Sequence, residues 1–296
     1  MQRLIAAALA ASLLAVSAGA LAAISVVDDA GRTVTLARPA QRVIALAPHV
    51  TELLYAAGGG ARLVGAVNYS DYPAAARRLP QVGSYDKIDV ERLLALKPDL
   101  IVVWHSGNPV RQIAQLERLG IPVFHSEPRR LEQVGANLLR LGQLLGTEPV
   151  ARRAAHDFQS RIDALRTRYA GRPPVTVFYQ VWDRPLYTLN DEHIASDMVR
   201  LCGGRNLFGA VKTIAPEVGV EAVIEADPEV ILVGKRDDPK DPGGKMWLAY
   251  KGMTAVKRHN LFAIDGDLSN RAGPRMADGA AQLCALLEQA RGRRPR

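Results

Sequence analysis

Four histidines, His49, His105, His125 and His193, and a thin set of aromatic residues are the side chains here with the widest chemical repertoire. Gathered at one point, the imidazoles could ligate a metal ion clamped between two lobes, but their spacings match no structural zinc pattern. Taken singly, each reads as an ordinary loop histidine. Enzyme machinery is wanting: the chain carries no G-x-x-x-x-G-K-[ST], no strand-linked G-x-G-x-x-G, no H-E-x-x-H and no G-x-S-x-G. Nor is there the cluster of carboxylates and histidines that a secreted metal-dependent hydrolase requires. No catalytic residue, resident metal or cofactor is therefore assigned. The glycines at 58–60 follow a predicted helix rather than opening one, which makes them a C-cap.

The aromatics are only 5% of the chain, yet Tyr69, Tyr72, Tyr85, Trp104, Phe178, Tyr179, Trp182 and Tyr187 fall at or near the ends of predicted strands. In parallel sheets, ligands bind beyond the carboxyl ends of the strands. Flat rings with a polar tip suit a large, partly apolar ligand at such a mouth. Some of these rings, Phe178 for example, are expected in the core.

The elements that must position them alternate. Short, wholly apolar runs ("RVIALA", "LVGAV", "DLIVV", "PVFHSE") are separated by helical patterns, beginning with a helix from about Thr51 to Ala57. This implies an α/β fold with parallel sheets covered on both faces. The pattern restarts after Pro174 with "VTVFYQV", and "VERLLALKPDLIVVW" at 90–104 returns as "VEAVIEADPEVILVG" at 220–234. Each copy reads as a helix beginning one residue before Glu91 or Glu221, stopping ahead of Pro98 or Pro228, and feeding a buried strand. Between the two halves, Val150, Ala154, Phe158, Ile162, Leu165 and Tyr169 recur every three or four residues, the mark of one long helix with a single apolar face. The predicted division is a leader over 1–22, an N-terminal α/β lobe over 23–147, a connecting helix over 148–172 and a C-terminal α/β lobe over 173–296. A hairpin turning at Asp-Asp-Ala-Gly is expected to open the mature fold.

Length and composition agree. A chain of 296 residues, 48% hydrophobic, can bury two cores of ordinary size. Arg3, the apolar run "LIAAALAASLLAV" and Ala20-Leu21-Ala22 form a secretory signal with its cleavage site, and no cysteine lies nearby to carry a lipid. A soluble, exported protein is expected. Cys202 and Cys284 are an even pair in an oxidising compartment, which suggests a disulfide, two buried free thiols being the alternative. The formal charge of +8 is scattered except in the C-terminal "RGRRPR", so no nucleic-acid partner is inferred.

The stretches "VVDDAGRTVTLARPAQRVIALAP", "YSDYP", "VGSYDKIDVERLLALKPDLIVVW", "LCGGRNLF" and "NRAGPR" together resemble the helical-backbone class of periplasmic substrate-binding proteins that serve ABC importers. The resemblance covers nearly the whole mature chain, and "NYSDYP" with "VERLLALKPDLIVVWHSGN" is most similar to cobalamin-binding members. It implies two Rossmann-like lobes joined by a long helix, a monomer holding cobalamin or a related corrinoid in the cleft, and delivery to a membrane permease with its ATPase subunits. Haem or an iron siderophore is the alternative ligand within the class. Ligand contacts of the class fall on His49, Tyr69, Tyr85, Trp104 and Val181, and on Asp267, Leu268, Ser269, Asn270 and Arg271. Its permease-docking acids fall on Glu91 and Glu221, and its disulfide on Cys202 and Cys284. Tyr85 and Ala215 stand where the cobalamin binder has tryptophan, Val181 where it has phenylalanine, and Asn270 where it has an acid. Trp182 and Tyr187 are near enough in sequence to make up the lost aromatic surface.

Overall fold

The computed structural model describes residues 23–235 and 243–295; the leader expected over 1–22 lies outside the described residues. The chain opens with the expected antiparallel hairpin, β1 (Ile24–Val27) against β2 (Thr33–Leu36). It continues through β3 (Val43–Ala45), α1 (Pro48–Ala56), β4 (Leu63–Ala66), α2 (Val90–Ala95), β5 (Leu100–Trp104), α3 (Val110–Arg118), β6 (Val123–Ser126) and α4 (Leu131–Leu145). The long helix α5 (Glu148–Tyr169) follows. The second half comprises β7 (Val175–Gln180), β8 (Trp182–Asp183), β9 (Leu186–Tyr187), α6 (Ile194–Leu201), β10 (Gly204–Asn206), α7 (Val220–Ala226), β11 (Val230–Lys235), α8 (Thr254–Lys257), β12 (Leu261–Asp265), α9 (Gly266–Asn270) and α10 (Met276–Gly292).

Each half builds a four-stranded, all-parallel sheet, ordered β4-β3-β5-β6 in the first and β10-β7-β11-β12 in the second. Numbered within its own half, either order reads 2-1-3-4, so the two share one topology. Each therefore has its switch point between its first and third strands, where a doubly wound sheet opens a crevice. The sequence repeat is the α-then-β unit beside that point: α2 into β5 and α7 into β11. The likeness extends to the backbone, since the residue before each proline, Lys97 (φ 47°) or Asp227 (φ 40°), is left-handed. A residue before proline avoids the right-handed helical region.

Successive residues of a strand point to opposite faces, and the core follows that rule closely. Val43, Ala45, Leu100 and Val102 of the first sheet join Val175, Val177, Val230 and Leu232 of the second in one continuous core. The alternate residues Ile44, Ile101 and Val103 fill a separate cluster on the outer side of the first lobe. Phe178, Ile231 and Val233 do the same for the second. Helix α5 lies in the shared core through Ala151, Ala155, Phe158, Ile162 and Tyr169.

That face differs from the expected one at its start, because Val150 is 42% exposed and Ala154 only half-buried. The cause is α4, for which the sequence pattern above assigned no element. A Cβ on Gly142 of α4 would fall 2.3 Å from that of Ala151, so the two helices meet nearly backbone to backbone and Ala151, not its larger neighbour, takes the seam. Helix α1 also begins earlier than expected, at Pro48, a residue preset for a first helical position. It ends at the predicted glycines, where Gly58 takes φ 88° and donates its N–H to the Tyr55 carbonyl.

Cys202, at the end of α6, and Cys284, within α10, form a disulfide closing a sequence separation of 82 residues. A crosslink over such a loop is worth about 4 kcal/mol in the chain-entropy account. The Cys202→Ser, Cys284→Ser double variant should therefore fold but lose roughly 2–4 kcal/mol of unfolding free energy in urea titrations. A loss below about 0.5 kcal/mol would contradict that assignment.

Candidate ligand-binding cleft

The carboxyl ends of the two parallel sheets meet across a cavity of about 760 Å³. From the first lobe come Pro48 and His49 after β3, Tyr69 after β4, Tyr85 ahead of α2, Trp104 at the end of β5, and Glu127 and Arg129 beyond β6. From the second come Val181 after β7, Leu189, His193 and Ile194 around the start of α6, Ile214 and Ala215 in the loop before α7, and Asn270 and Arg271 after β12. The two walls differ in kind. The first is aromatic and the second, through Val181, Leu189, Ile194, Ile214 and Ala215, largely aliphatic.

The aromatic wall is set out deliberately. Tyr69 holds a left-handed backbone (φ 60°), uncommon for a residue with a side chain, and the residue is 70% exposed. Trp104 meets Tyr85 at a ring separation of 5.9 Å with the planes tilted by 48°, and meets His49 edge-on at 5.6 Å. His49 lies within helix α1 and is buried, rather than sitting in a loop. Burial, and secondarily the charge of Arg271, lower its pKa to about 4. Burial does the same to His193, also to about 4. The Nδ1 of His193 accepts the Ala195 N–H, which leaves its proton on Nε2. Both imidazoles are neutral at neutral pH. His105 and His125 lie apart from this pair, Nδ1 to Nδ1 at 3.1 Å, with His125 in strand β6 and 3.0 Å from Glu117.

Ion pairs join the lobes on either side of the cavity. On one side Glu52 of α1, 3% exposed, takes both Nε (2.9 Å) and Nη2 (2.6 Å) of Arg275 from the second lobe. It also accepts from Arg271 Nη1 at 3.3 Å. Arg271 donates further to Asp71 at 2.7 Å and lies 3.0 Å from Asp267. Burial acts to raise the Asp71 carboxyl, but the hydrogen bond and charge of Arg271 overcome it and leave the pKa below the usual value. The Glu52 hydrogen bond raises Arg275, whose guanidinium also covers the Tyr72 ring at 4.2 Å. On the other side Arg129 pairs with Glu192 at 2.9 Å and Arg130 with Asp197 at 3.1 Å.

Of the residues singled out in the sequence, the cavity is lined by His49, Tyr69, Tyr85, Trp104, Val181, Asn270 and Arg271. Asp267, Leu268, Ser269 and Trp182 are not among its walls. Asp267 is held to Arg271, and Ser269 is fully buried, accepting the Tyr179 hydroxyl at 2.8 Å and donating to the Asp265 carbonyl. The short helix α9 explains this, since it turns only its end toward the cleft. Trp182 lies in the β8–β9 ribbon opposite Tyr187 and donates Nε1–H to the Arg184 carbonyl. Phe178 and Tyr179 are core residues, and burial pushes the Tyr179 hydroxyl up to about 12. Glu127, Arg129 and Ile214 escaped the sequence reading, and His193, singled out there only as one of four histidines, joins them in the cavity wall. The strand-end rule that selected the aromatics applies equally to 127–129, which directly follow β6.

A two-lobed α/β receptor with a ligand cleft between matching sheets is the class that this architecture defines. The chain belongs to the periplasmic binding protein family, whose model matches residues 43–268. It is 41% identical over 251 residues to the vitamin B12-binding protein of Yersinia pestis, covering 85% of this chain and 88% of that one. The crystal structure of the periplasmic vitamin B12-binding protein of Vibrio cholerae superposes with a TM-score of 0.81 at 38% identity, covering 86% of this chain and 98% of that one. A periplasmic haem-binding protein from Pseudomonas aeruginosa follows with a TM-score of 0.73 at 27% identity, covering 83% of this chain and 92% of that one. Among the described residues no helix is long and apolar enough to cross a membrane.

The buried imidazole of His49 sets a pH dependence. A histidine that titrates near 4 when folded and near 6.5 when unfolded leaves the unfolded chain holding more protons between those values. Its neutral burial is therefore fully tolerated above about pH 6.5 and costs stability as pH falls through that window, reaching roughly 3 kcal/mol for His49 near pH 4. Urea midpoints measured from about pH 7.5 down to 4.5 should fall steeply for the native chain and less steeply for His49→Phe. Parallel profiles would contradict the assignment.

Proposed function

We propose that this chain is a non-enzymatic receptor of the periplasm that captures cobalamin or a closely related corrinoid in its cleft and delivers it to an ABC importer. In this reading residues 23–147 and 173–296 are the two jaws, 148–172 the connecting rod, and 1–22 a leader removed on export. The vitamin B12-binding relatives support the ligand class. The observation that carries it within the molecule is the chemistry of the cavity wall: flat rings on one side, aliphatic side chains on the other, and little net charge. Among the described lining residues, Arg129 and Arg271 are each committed to carboxylates, and both histidines are neutral.

A corrinoid is a broad ring edged with neutral amides, and it suits such a site by stacking, shape and a few hydrogen bonds. Haem, with two carboxylates, asks for uncommitted cations. Tyr69, Tyr85 and Trp104 supply the stacking surface in this reading, and His49, Val181, Asn270 and Arg271 the rest of the contact. Calorimetric titration with cyanocobalamin should give a saturable 1:1 isotherm, and Trp104→Ala should weaken it by about tenfold or more. Haem should produce no saturable Soret change. Haem binding without cobalamin binding would overturn the ligand assignment.

Delivery rests on Glu91 and Glu221. Each is exposed in the first turn of the repeated helix, α2 or α7. Because each helix runs back against the strand that it feeds, both first turns stand at the cleft end of their sheets. Two equivalent acids on two lobes of one topology match a two-fold receptor carrying paired cations. Glu91→Lys with Glu221→Lys should leave cyanocobalamin affinity within about twofold while abolishing uptake in a permease-reconstituted vesicle assay. Unimpaired uptake would refute the docking role.

A further inference from the structure

Trp104 and Tyr85 stand on different segments, yet their rings meet at a fixed tilt. The cause lies behind them. Asn108 is buried, 5% exposed, and its amide bonds three backbone groups. Oδ1 accepts the Trp104 N–H at 2.7 Å, and Nδ2 donates to the Leu46 carbonyl at 2.8 Å and to the Tyr85 carbonyl at 2.7 Å. Leu46 leads directly into Pro48 and His49, so one side chain ties together three segments that bear cavity residues.

Two carbonyls and one N–H require two donors and one acceptor in a single planar group. Only a carboxamide provides that at this length. Aspartate would set an oxygen against two carbonyls, and an aliphatic residue would leave three backbone groups, all at least partly buried, without these partners. The next residue back completes the seat: a Cβ on Gly107 would fall 1.9 Å from the Trp104 ring. The indole thus rests flat on the Gly107 backbone, where any side chain would displace it.

We propose that Asn108, with Gly107 beneath the indole, is the positioning residue of the aromatic wall, fixing Trp104 and Tyr85 in the tilt that a flat macrocycle stacks against. The proposal rests on the reading of the cleft as a corrinoid site, and its test separates the two. In cyanocobalamin titrations Asn108→Ala should weaken binding by about tenfold or more, and by less than about twofold in a Trp104→Ala background. An equal loss in both backgrounds, or none in either, overturns it. Gly107→Ala, which disturbs the indole without touching the amide, should weaken binding in the same direction; full affinity in that variant counts against the proposal.

A ligand-free readout uses fluorine NMR of 5-fluorotryptophan protein, with the three tryptophans assigned by single substitutions. Asn108→Ala should shift and broaden the Trp104 resonance while the buried Trp247 signal stays in place. An unmoved Trp104 resonance sinks the proposal even if the native chain binds no cobalamin. Failure of the native chain to bind, with Trp104 moving as expected, would fault the ligand reading alone.

Discussion

Everything in this molecule depends on helix α5 being buried in a core that belongs to both lobes at once. Inter-domain contacts in two-lobed chains are commonly modest and polar, and relative motion is then the default. Here the inner faces of both sheets, α4, α5 and α10 contribute to one continuous apolar cluster. Swinging one lobe away from the other would expose Phe158, Ile162 and their neighbours, each worth roughly 1.5–3 kcal/mol of burial. The Glu52–Arg275–Arg271 network adds a polar clamp beside the cleft, with Glu52 buried deeply enough that losing a partner would leave a costly unpaired charge. The cavity is thus a standing feature of the fold, and changes in its shape are expected to be confined to small angles.

The standing cavity has two unlike walls. The lobes share strand order and even the left-handed residue before proline in their repeated units, but what each carries at its strand ends has diverged. The first presents rings held by buried polar groups and a close glycine; the second presents branched aliphatics. In the proposed reading a symmetric scaffold serves two purposes, with its equivalent outer helices free to meet a symmetric partner and its inner loops free to specialise for an asymmetric ligand. The two neutral imidazoles fit the same scheme, since a charge in so enclosed a site would be penalised by desolvation.

How much of this could be read in the sequence followed from how local each signal was. The α/β alternation, the repeat and the long helix rest on patterns contained within continuous stretches of sequence, and the structure displays them. The start of the α5 seam was misplaced by one residue because it is decided by a partner, Gly142, on a helix not assigned beforehand. Strand ends could be located, but which way a side chain turns from them could not: Trp104 faces the cleft while Trp182, just past the end of β7, bonds within a ribbon. Ser269 and Tyr179 looked like site residues and prove to be bonded to one another in the interior. The Glu52 clamp joins residues about 220 positions apart in the chain, beyond the reach of any local pattern.

The central claim, a cleft preformed by a shared core, is tested most directly by measuring lobe separation with and without ligand. Because both native cysteines are paired, spin labels can be placed on cysteines introduced at the exposed residues Arg118 and Lys257, one on each lobe, and their distance distribution recorded by pulsed electron resonance. The account predicts that saturating cyanocobalamin shifts the mean distance by no more than about 2 Å and leaves a single narrow population. A ligand-induced shift of about 5 Å or more, or a broad open population in the free protein, would contradict it.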